Sequence, residues 1–427
     1  MFRRILKQAF PTMIAFTMSG MYSVVDGLFV GKAAGDIGLA AINIAWPVPA
    51  VITALGIGIG TGGSVLYSNM MGRGDREGCR RIFNTTLTFL VVAGCLLAMI
   101  LFLIRDPLLH VLGAEGEVMK QAGWYIKIII AGSVLQVCGT GITPLLRNMN
   151  KAFAAMLSMA IGFVTNIGVN YYLMFPMKMG IRGAAYGTVT AQFVVLLCSI
   201  LFIMGSYREK VRPALEKRLA AEIVRIGITA FGVSLAPTVA LIFTNWQCLR
   251  YGGNAAVACY AVVSYIVFPV QYLLTGIGDG VQPLLSFYNG AGKYRELREV
   301  RKIARICAGV LGVITTAAAV ACTPYIAQWF GLSSSAAVFF GTGMKISAVS
   351  FLAVGFAKLN LSYLNAVLKT KQAVALTFTE SLVVSPAYLF LLPLMWGMNG
   401  IWISLPATAV TMLVIYGITN RKEMSKL

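Results

Sequence analysis

Four oxygen-bearing side chains lie within long apolar stretches of the first half of the chain. They are Asp26, Asn166, Asn170 and Thr188. At about 1.5 Å per residue from the basic end of each stretch, they reach similar heights of roughly 22–28 Å. Oxygen ligands suit a hard cation such as Na⁺, and a carboxyl group removed from water suits a proton. We therefore predict a cation or proton site centred on Asp26. The alternative is an Asp26 solvated near the outer interface, with amides that only satisfy helix contacts.

A second polar group lies in apolar stretches of the other half. Asp279, Lys358 and Glu380 all come at about 15 Å along their stretches, and Gln282 follows Asp279. An unpaired charge at that depth would be expensive, so Lys358 is expected to pair with Glu380 or Asp279. The pair could be structural or could take part in coupling.

The composition excludes an ordinary soluble enzyme. Hydrophobic residues make up 58% of the 427 residues and charged residues only 12%, about half the usual charged share. The eight cysteines are far apart and there is a single histidine, His110. We therefore expect no disulfide framework and no metal centre beyond Na⁺ at Asp26. The net charge of +20 could indicate nucleic acid, so the positions of the basic residues decide its meaning.

Twelve apolar stretches are long enough to cross a bilayer as helices. The predicted spans are 8–30, 41–68, 82–104, 121–146, 153–177, 183–205, 223–249, 255–288, 303–328, 336–367, 372–394 and 398–419. Pro11 is expected to bend the first of them.

Lysine and arginine fall mainly on one side of these spans. With the amino terminus in the cytoplasm, 26 of the 35 basic residues lie on the cytoplasmic side and seven on the other. This asymmetry is typical of multi-pass membrane proteins. It predicts a membrane protein with both termini in the cytoplasm, in contact with lipid, and it argues against nucleic acid as a partner.

The chain is a tandem repeat. The segment from Gly58 to Gly74 aligns without gaps on Gly276 to Gly292, with eight of 17 positions identical. Six spans per copy predict two six-helix bundles that point the same way, related by a pseudo-two-fold axis along the membrane normal. The predicted domains are 1–213 and 214–427, joined by a charged linker at about 206–222. The spacing Gly58/Gly62 and Gly276/Gly280 predicts close helix approach.

Two duplicated bundles indicate a transporter that works by alternating access. A receptor or membrane enzyme has no need of duplicated halves. A drug-responsive membrane receptor or scaffold is a further alternative, which would show no counter-ion flux in liposomes. Gly56-Ile-Gly-Ile-Gly is not followed by Gly-Lys-Ser/Thr, so nucleotide binding is disfavoured. We expect an ion gradient to supply the energy, with no organic cofactor.

Three segments carry a resemblance to a known family. They begin with Pro11 to Gly31, continue with Gly180 to Thr188, and end with Gly276 to Ser286 and the Gly290-Ala-Gly292 that follows. Together they resemble the MATE family, the multidrug and toxic compound extrusion transporters. The resemblance implies an antiporter in the plasma membrane of a prokaryote that exports organic, cationic compounds in exchange for H⁺ or Na⁺. The sequence does not determine the substrate or the oligomeric state. A monomer is expected.

The DinF-like branch of that family suggests roles for individual residues. Asp26 matches its first-span aspartate, Asn166 its fifth-span asparagine and Thr188 its sixth-span threonine. Asn170 stands where that branch has a second aspartate, which leaves the choice between Na⁺ and H⁺ open. The alternative function is a flippase for lipid-linked precursors, which would present several cations to its substrate, whereas this sequence offers mainly Lys358.

Overall fold

The computed structural model describes residues 1–205, 211–329 and 334–424. Within these ranges every regular element is a helix. The start of the predicted linker, residues 206–210, lies outside the described residues. Eleven helices are long and apolar enough to cross a membrane, and a bent pair supplies a twelfth span.

The first repeat contributes six spans. They are α1 (Phe2–Gly35), α2 (Ile37–Arg73), α3 (Arg76–Val111), α4 (the pair Gly116–Ala131 and Ser133–Asn148, bent by 58°), α5 (Ala152–Met174) and α6 (Ile181–Met204). The second repeat contributes α7 (Lys217–Gly253), α8 (Ala255–Gly290), α9 (Tyr294–Trp329), α10 (Ser334–Val349 and Phe351–Ala366), α11 (Thr370–Trp396) and α12 (Met398–Thr419). The order and number of the predicted spans are confirmed.

The duplication is visible in the backbone. Gly35 breaks α1 from α2 with φ 61° and ψ −159°, and Gly253 breaks α7 from α8 with φ 62° and ψ −160°. Gly180 before α6 and Gly397 before α12 have the same φ of 54° and ψ of −134° and −132°. Such positive φ values favour glycine, which lacks a Cβ. Corresponding positions of the two repeats therefore adopt the same turns.

Two compact units can be distinguished by their internal packing. The N-unit comprises Met21–Leu235 and Ser286–Lys293, and the C-unit comprises Met1–Gly20, Ala236–Leu285 and Tyr294–Leu427. Each unit thus contains most of one repeat and the start of the other repeat's first helix. The domain boundary near residue 213 stays a prediction from the sequence repeat.

Glycines of α2 and α8 allow the close helix approach expected from their spacing. Within the N-unit, a Cβ on Gly62 would lie 2.1 Å from the carbonyl oxygen of Ile223 on α7. Within the C-unit, a Cβ on Gly280 would lie 2.5 Å from the Cα of Ala9 on α1. Small residues let helix backbones pack this closely in a membrane, where no hydrophobic effect drives helices together.

The end of the linker is attached to α3. The Nε of Arg81 donates to Oε1 of Glu216 at 2.8 Å, and the second guanidinium nitrogen contacts Oε2. The backbone N–H of Ala214 donates to Oγ1 of Thr88 at 3.1 Å. The hydrogen bond from Arg81 lowers the pKa of the Glu216 carboxyl group, so this attachment is present at neutral pH and is lost in acid.

Helix α1 continues through Pro11, since its φ and ψ values are non-helical only at Gly35. The bend at Pro11 stays a prediction.

Candidate functional site

Helix α5 places two asparagines directly against Asp26 of α1. The Nδ2 of Asn170 donates to Oδ1 of Asp26 at 2.6 Å and also lies 3.2 Å from Oδ1 of Asn166. The two asparagines are four residues apart, so they share one helix face. Both are fully buried, whereas Asp26 is only partly buried. The carboxyl group is therefore held by a rigid helix face while part of it stays accessible.

Tyr22 extends this network to α6. The Nδ2 of Asn166 donates to the Tyr22 hydroxyl at 2.8 Å, and that hydroxyl donates to Oγ1 of Thr188 at 3.0 Å. The four side chains predicted from the sequence are thus brought together, and Tyr22 joins them. Tyr22 was missed by the sequence analysis. Its position one turn before Asp26 on the same helix is the signal that could have found it.

A glycine beside Thr188 makes room for Asn170. A Cβ on Gly187 would lie 1.7 Å from Oδ1 of Asn170, a distance at which one of the two groups must move. Helix α6 therefore needs glycine at this position to let the amide reach Asp26.

The site lies toward one end of the N-unit. Asp26 comes nine residues before the end of α1 at Gly35, and Asn170 comes four residues before the end of α5 at Met174. These spacings correspond to about 14 Å and 6 Å along the helices. Thr188 comes seven residues into α6, about 10 Å from its start. The three helices therefore present their polar side chains at comparable depth.

The donor set suits a small, hard cation or a proton. It contains one carboxyl group, two amide oxygens and two hydroxyls, which are the oxygen ligands that such cations prefer. Oδ1 of Asn170 is buried and has no hydrogen-bond partner among the described residues, so one ligand atom is available. Asp26, Asn166, Asn170 and Thr188 would hold Na⁺ when it binds, and Asp26 alone would hold a proton.

The second-half cluster divides into two contacts within the C-unit. Lys358 on α10 pairs with Glu380 on α11, with Nζ 3.1 Å from Oε1. Asp279 on α8 instead accepts a hydrogen bond of 3.0 Å from the Ser362 hydroxyl. Glu380 lies in a π-helical turn, Thr379–Val384, and such turns are frequent at functional sites. Gln282 is buried on α8. Of the two partners considered for Lys358, the structure selects Glu380.

Curated proteins are similar to this chain in sequence over almost its whole length. Multidrug export protein MepA from Staphylococcus haemolyticus is 24% identical over 436 residues, covering 100% of this chain and 95% of the relative. MepA from Staphylococcus aureus is 24% identical over 434 residues, covering 98% and 94%.

Two solved structures show the same fold. An outward-facing multidrug resistance MATE family transporter of the MOP superfamily has a TM-score of 0.93 at 21% identity, covering 99% of this chain and 96% of that chain. A MOP superfamily transporter from Pyrococcus furiosus, described as having a binding pocket of reverse polarity, has a TM-score of 0.92 at 21% identity, covering 99% and 95%.

The profile of the MatE family matches this chain twice, at residues 11–172 and 229–391. The two matched segments correspond to the two repeats, and together they cover most of the chain. The chain therefore belongs to the MatE family and is a multi-pass membrane transporter rather than an enzyme.

Proposed function

We propose that this transporter is a secondary active exporter that exchanges H⁺ or Na⁺ for organic, cationic compounds. The hydrogen-bond network from Asp26 through Asn170, Asn166 and Tyr22 to Thr188 is the observation that carries the proposal. It sets one acidic group, Asp26, on a polar scaffold, which is what a coupling site for one cation needs. The names of the staphylococcal relatives, multidrug export proteins, support the export of drug-like compounds.

Binding of a proton would neutralise the Asp26 carboxylate, which accepts the hydrogen bond from Asn170. The 2.6 Å hydrogen bond between Asn170 and Asp26 is charge-assisted when the carboxyl group is ionised. Protonation weakens it and frees α1 to move relative to α5. Because α1 contributes residues to both compact units, this change can favour the opposite state of the transporter.

Binding of Na⁺ would use the same residues differently. The amide of Asn170 would turn so that Oδ1, the atom without a hydrogen-bond partner, faces the ion together with the Asp26 carboxylate. The Thr188 hydroxyl and the Asn166 oxygen complete an oxygen site. In both cases a single positive charge neutralises Asp26.

The distribution of basic residues supports a plasma-membrane location with both termini in the cytoplasm. A compound that leaves the cell therefore moves away from the basic side. The pairing of Lys358 with Glu380 argues against the alternative of a lipid-linked precursor flippase. Such a protein would use cations to hold phosphate groups, whereas this lysine is engaged by a carboxylate.

Reconstituted transport tests the proposal. The purified protein is reconstituted into liposomes that are loaded with ethidium. Ethidium efflux is then followed first under a pH gradient without Na⁺ and next under a Na⁺ gradient at constant pH. We expect one gradient to accelerate ethidium movement, with movement of the coupling ion in the opposite direction. An ethidium efflux rate that neither gradient changes would contradict the proposal.

A further inference from the structure

The C-unit contains an ion pair at the middle of the membrane. Lys358 comes eight residues before the end of α10 at Ala366, and Glu380 comes ten residues after the start of α11 at Thr370. These distances correspond to about 12 Å and 15 Å, close to half of the roughly 30 Å hydrocarbon thickness. The Asp26 network lies in the N-unit and makes no use of this pair.

The pair borders open space. The side chains of Lys358 and Glu380 keep 18% and 23% of their surface exposed. A charge that faced lipid at this depth would be expensive, so membrane-embedded charges turn toward protein or toward water-filled cavities. The exposed part of this pair is therefore expected to face water rather than lipid.

The charges around the pair favour a cation. Asp279 lies on α8 beside Lys358, since a Cβ on the neighbouring Gly278 would lie 3.0 Å from the carbonyl oxygen of Lys358. The cluster thus holds two carboxyl groups and one ammonium group. The two carboxyl groups are the members of this cluster that attract a cation.

A buried hydroxyl beside Glu380 is the second observation. The side chain of Tyr416 is 1% exposed, and its hydroxyl has no hydrogen-bond partner among the described residues. It lies close enough to Glu380 to interact electrostatically. A buried polar group without a partner is costly, so the Tyr416 hydroxyl adds a second polar group within electrostatic range of Glu380.

We propose that Glu380 binds the cationic group of the transported compound and that Lys358 occupies this position when no compound is bound. The proposal rests on the function proposed above, which supplies the class of substrate. Lysine suits the role because its ammonium group makes a single contact on a flexible four-carbon stem and can turn from Glu380 toward the carboxylate of Asp279 on the neighbouring helix. An organic cation then replaces one positive charge with another, while the carboxylate never faces the membrane interior alone.

Equilibrium binding of tetraphenylphosphonium to the purified full chain tests this exchange. The variant Lys358→Met removes the competing ammonium group and is expected to bind the cation about fivefold more tightly. The variant Glu380→Gln removes the attraction and is expected to bind about tenfold more weakly, the size of one partly desolvated charge contact. A pair that served only as structural support would weaken binding in both variants.

Matched controls come from the same repeat. Lys345 is an exposed lysine on α10 and Glu299 is an exposed glutamate on α9, so Lys345→Met and Glu299→Gln should leave the affinity unchanged. The tighter binding of Lys358→Met also guards against misfolding, because a misfolded protein does not gain affinity. Unchanged or weaker binding by Lys358→Met would overturn the proposal.

The result separates this proposal from the function on which it rests. Opposite affinity changes in the two variants would support the substrate contact even if no gradient drove transport. Gradient-driven ethidium efflux with wild-type affinity in both variants would overturn the substrate contact and leave the exchange intact. A wild-type chain that bound no organic cation would overturn both.

Discussion

Tyr22 is the residue that turns separate contacts into one network. Its hydroxyl accepts from Asn166 and donates to Thr188, so it fixes the orientation of both side chains. The amide of Asn166 can then present its oxygen to Asn170, whose Nδ2 reaches Asp26. The direction of the Asn170–Asp26 hydrogen bond follows from the carboxylate, which only accepts when it is ionised.

Replacing Tyr22 by phenylalanine should weaken ion binding without removing the carboxyl group. Tyr22 makes two hydrogen bonds, each worth about 1 kcal/mol, so we expect the coupling-ion concentration for half-maximal ethidium efflux to rise roughly five- to thirtyfold. Tyr172→Phe is the control, because Tyr172 is 59% exposed and outside the network. Equal ion dependence in the two variants would show that Tyr22 does not position the site.

A methyl group at Gly187 should disturb Asn170. Since a Cβ there would lie 1.7 Å from Oδ1 of Asn170, Gly187→Ala is expected to displace the amide from Asp26 and to reduce gradient-driven efflux about tenfold or more. Gly168→Ala on α5 is the matched control, because a Cβ there meets no atom within 4 Å. Similar efflux by the two variants would contradict this geometry.

Much of the site could be predicted, because the depth of a residue along a helix follows from its rise per residue. The depths estimated in this way correctly grouped Asp26, Asn166, Asn170 and Thr188. It could not find Tyr22 or choose between Glu380 and Asp279 as the partner of Lys358. Those outcomes depend on how each helix is rotated about its axis, which packing decides.

At the scale of helices, paired glycines set the separation between neighbours. Gly62 faces the backbone of α7 within the N-unit, and Gly280 faces the backbone of α1 within the C-unit. The sequence predicted these approaches because the small residues repeat every four positions. The 58° bend inside α4 was not predicted, since the bent pair has the length and hydropathy of one span.

Gly62→Ala should destabilise the N-unit. Its Cβ would lie 2.1 Å from a backbone oxygen of α7, so the helices must separate at a cost of about 1–3 kcal/mol. We expect a lower thermal unfolding temperature in detergent. Gly417→Ala, whose Cβ meets no atom within 4 Å, should leave it unchanged. Equal unfolding temperatures would show that α2 and α7 do not pack at this distance.

For the whole molecule, the repeat determines the framework and the differences between repeats determine the chemistry. Gly35 and Gly253 adopt the same backbone conformation at equivalent positions. The polar residues do not repeat, because the first copy carries Asp26 and the second carries Lys358 and Glu380. We infer that the first copy binds the coupling ion and that the second copy binds the transported compound.

Helix α1 is the covalent link between these tasks. Its residues up to Gly20 belong to the C-unit, and Asp26 lies six residues further on in the N-unit. A change of charge at Asp26 therefore acts on a helix that both units share. The sequence predicted two halves from the repeat, but the exchange of their first helices depends on long-range packing that hydropathy does not encode.

The most direct test of the account is ethidium efflux from liposomes by Asp26→Asn under the gradient that drives the wild-type protein. The neutral amide keeps the size of the side chain but cannot bind and release a proton or balance a cation. We predict that gradient-driven efflux falls to the rate of protein-free liposomes while tetraphenylphosphonium still binds. Efflux at the wild-type rate would contradict the claim that Asp26 couples the ion to export.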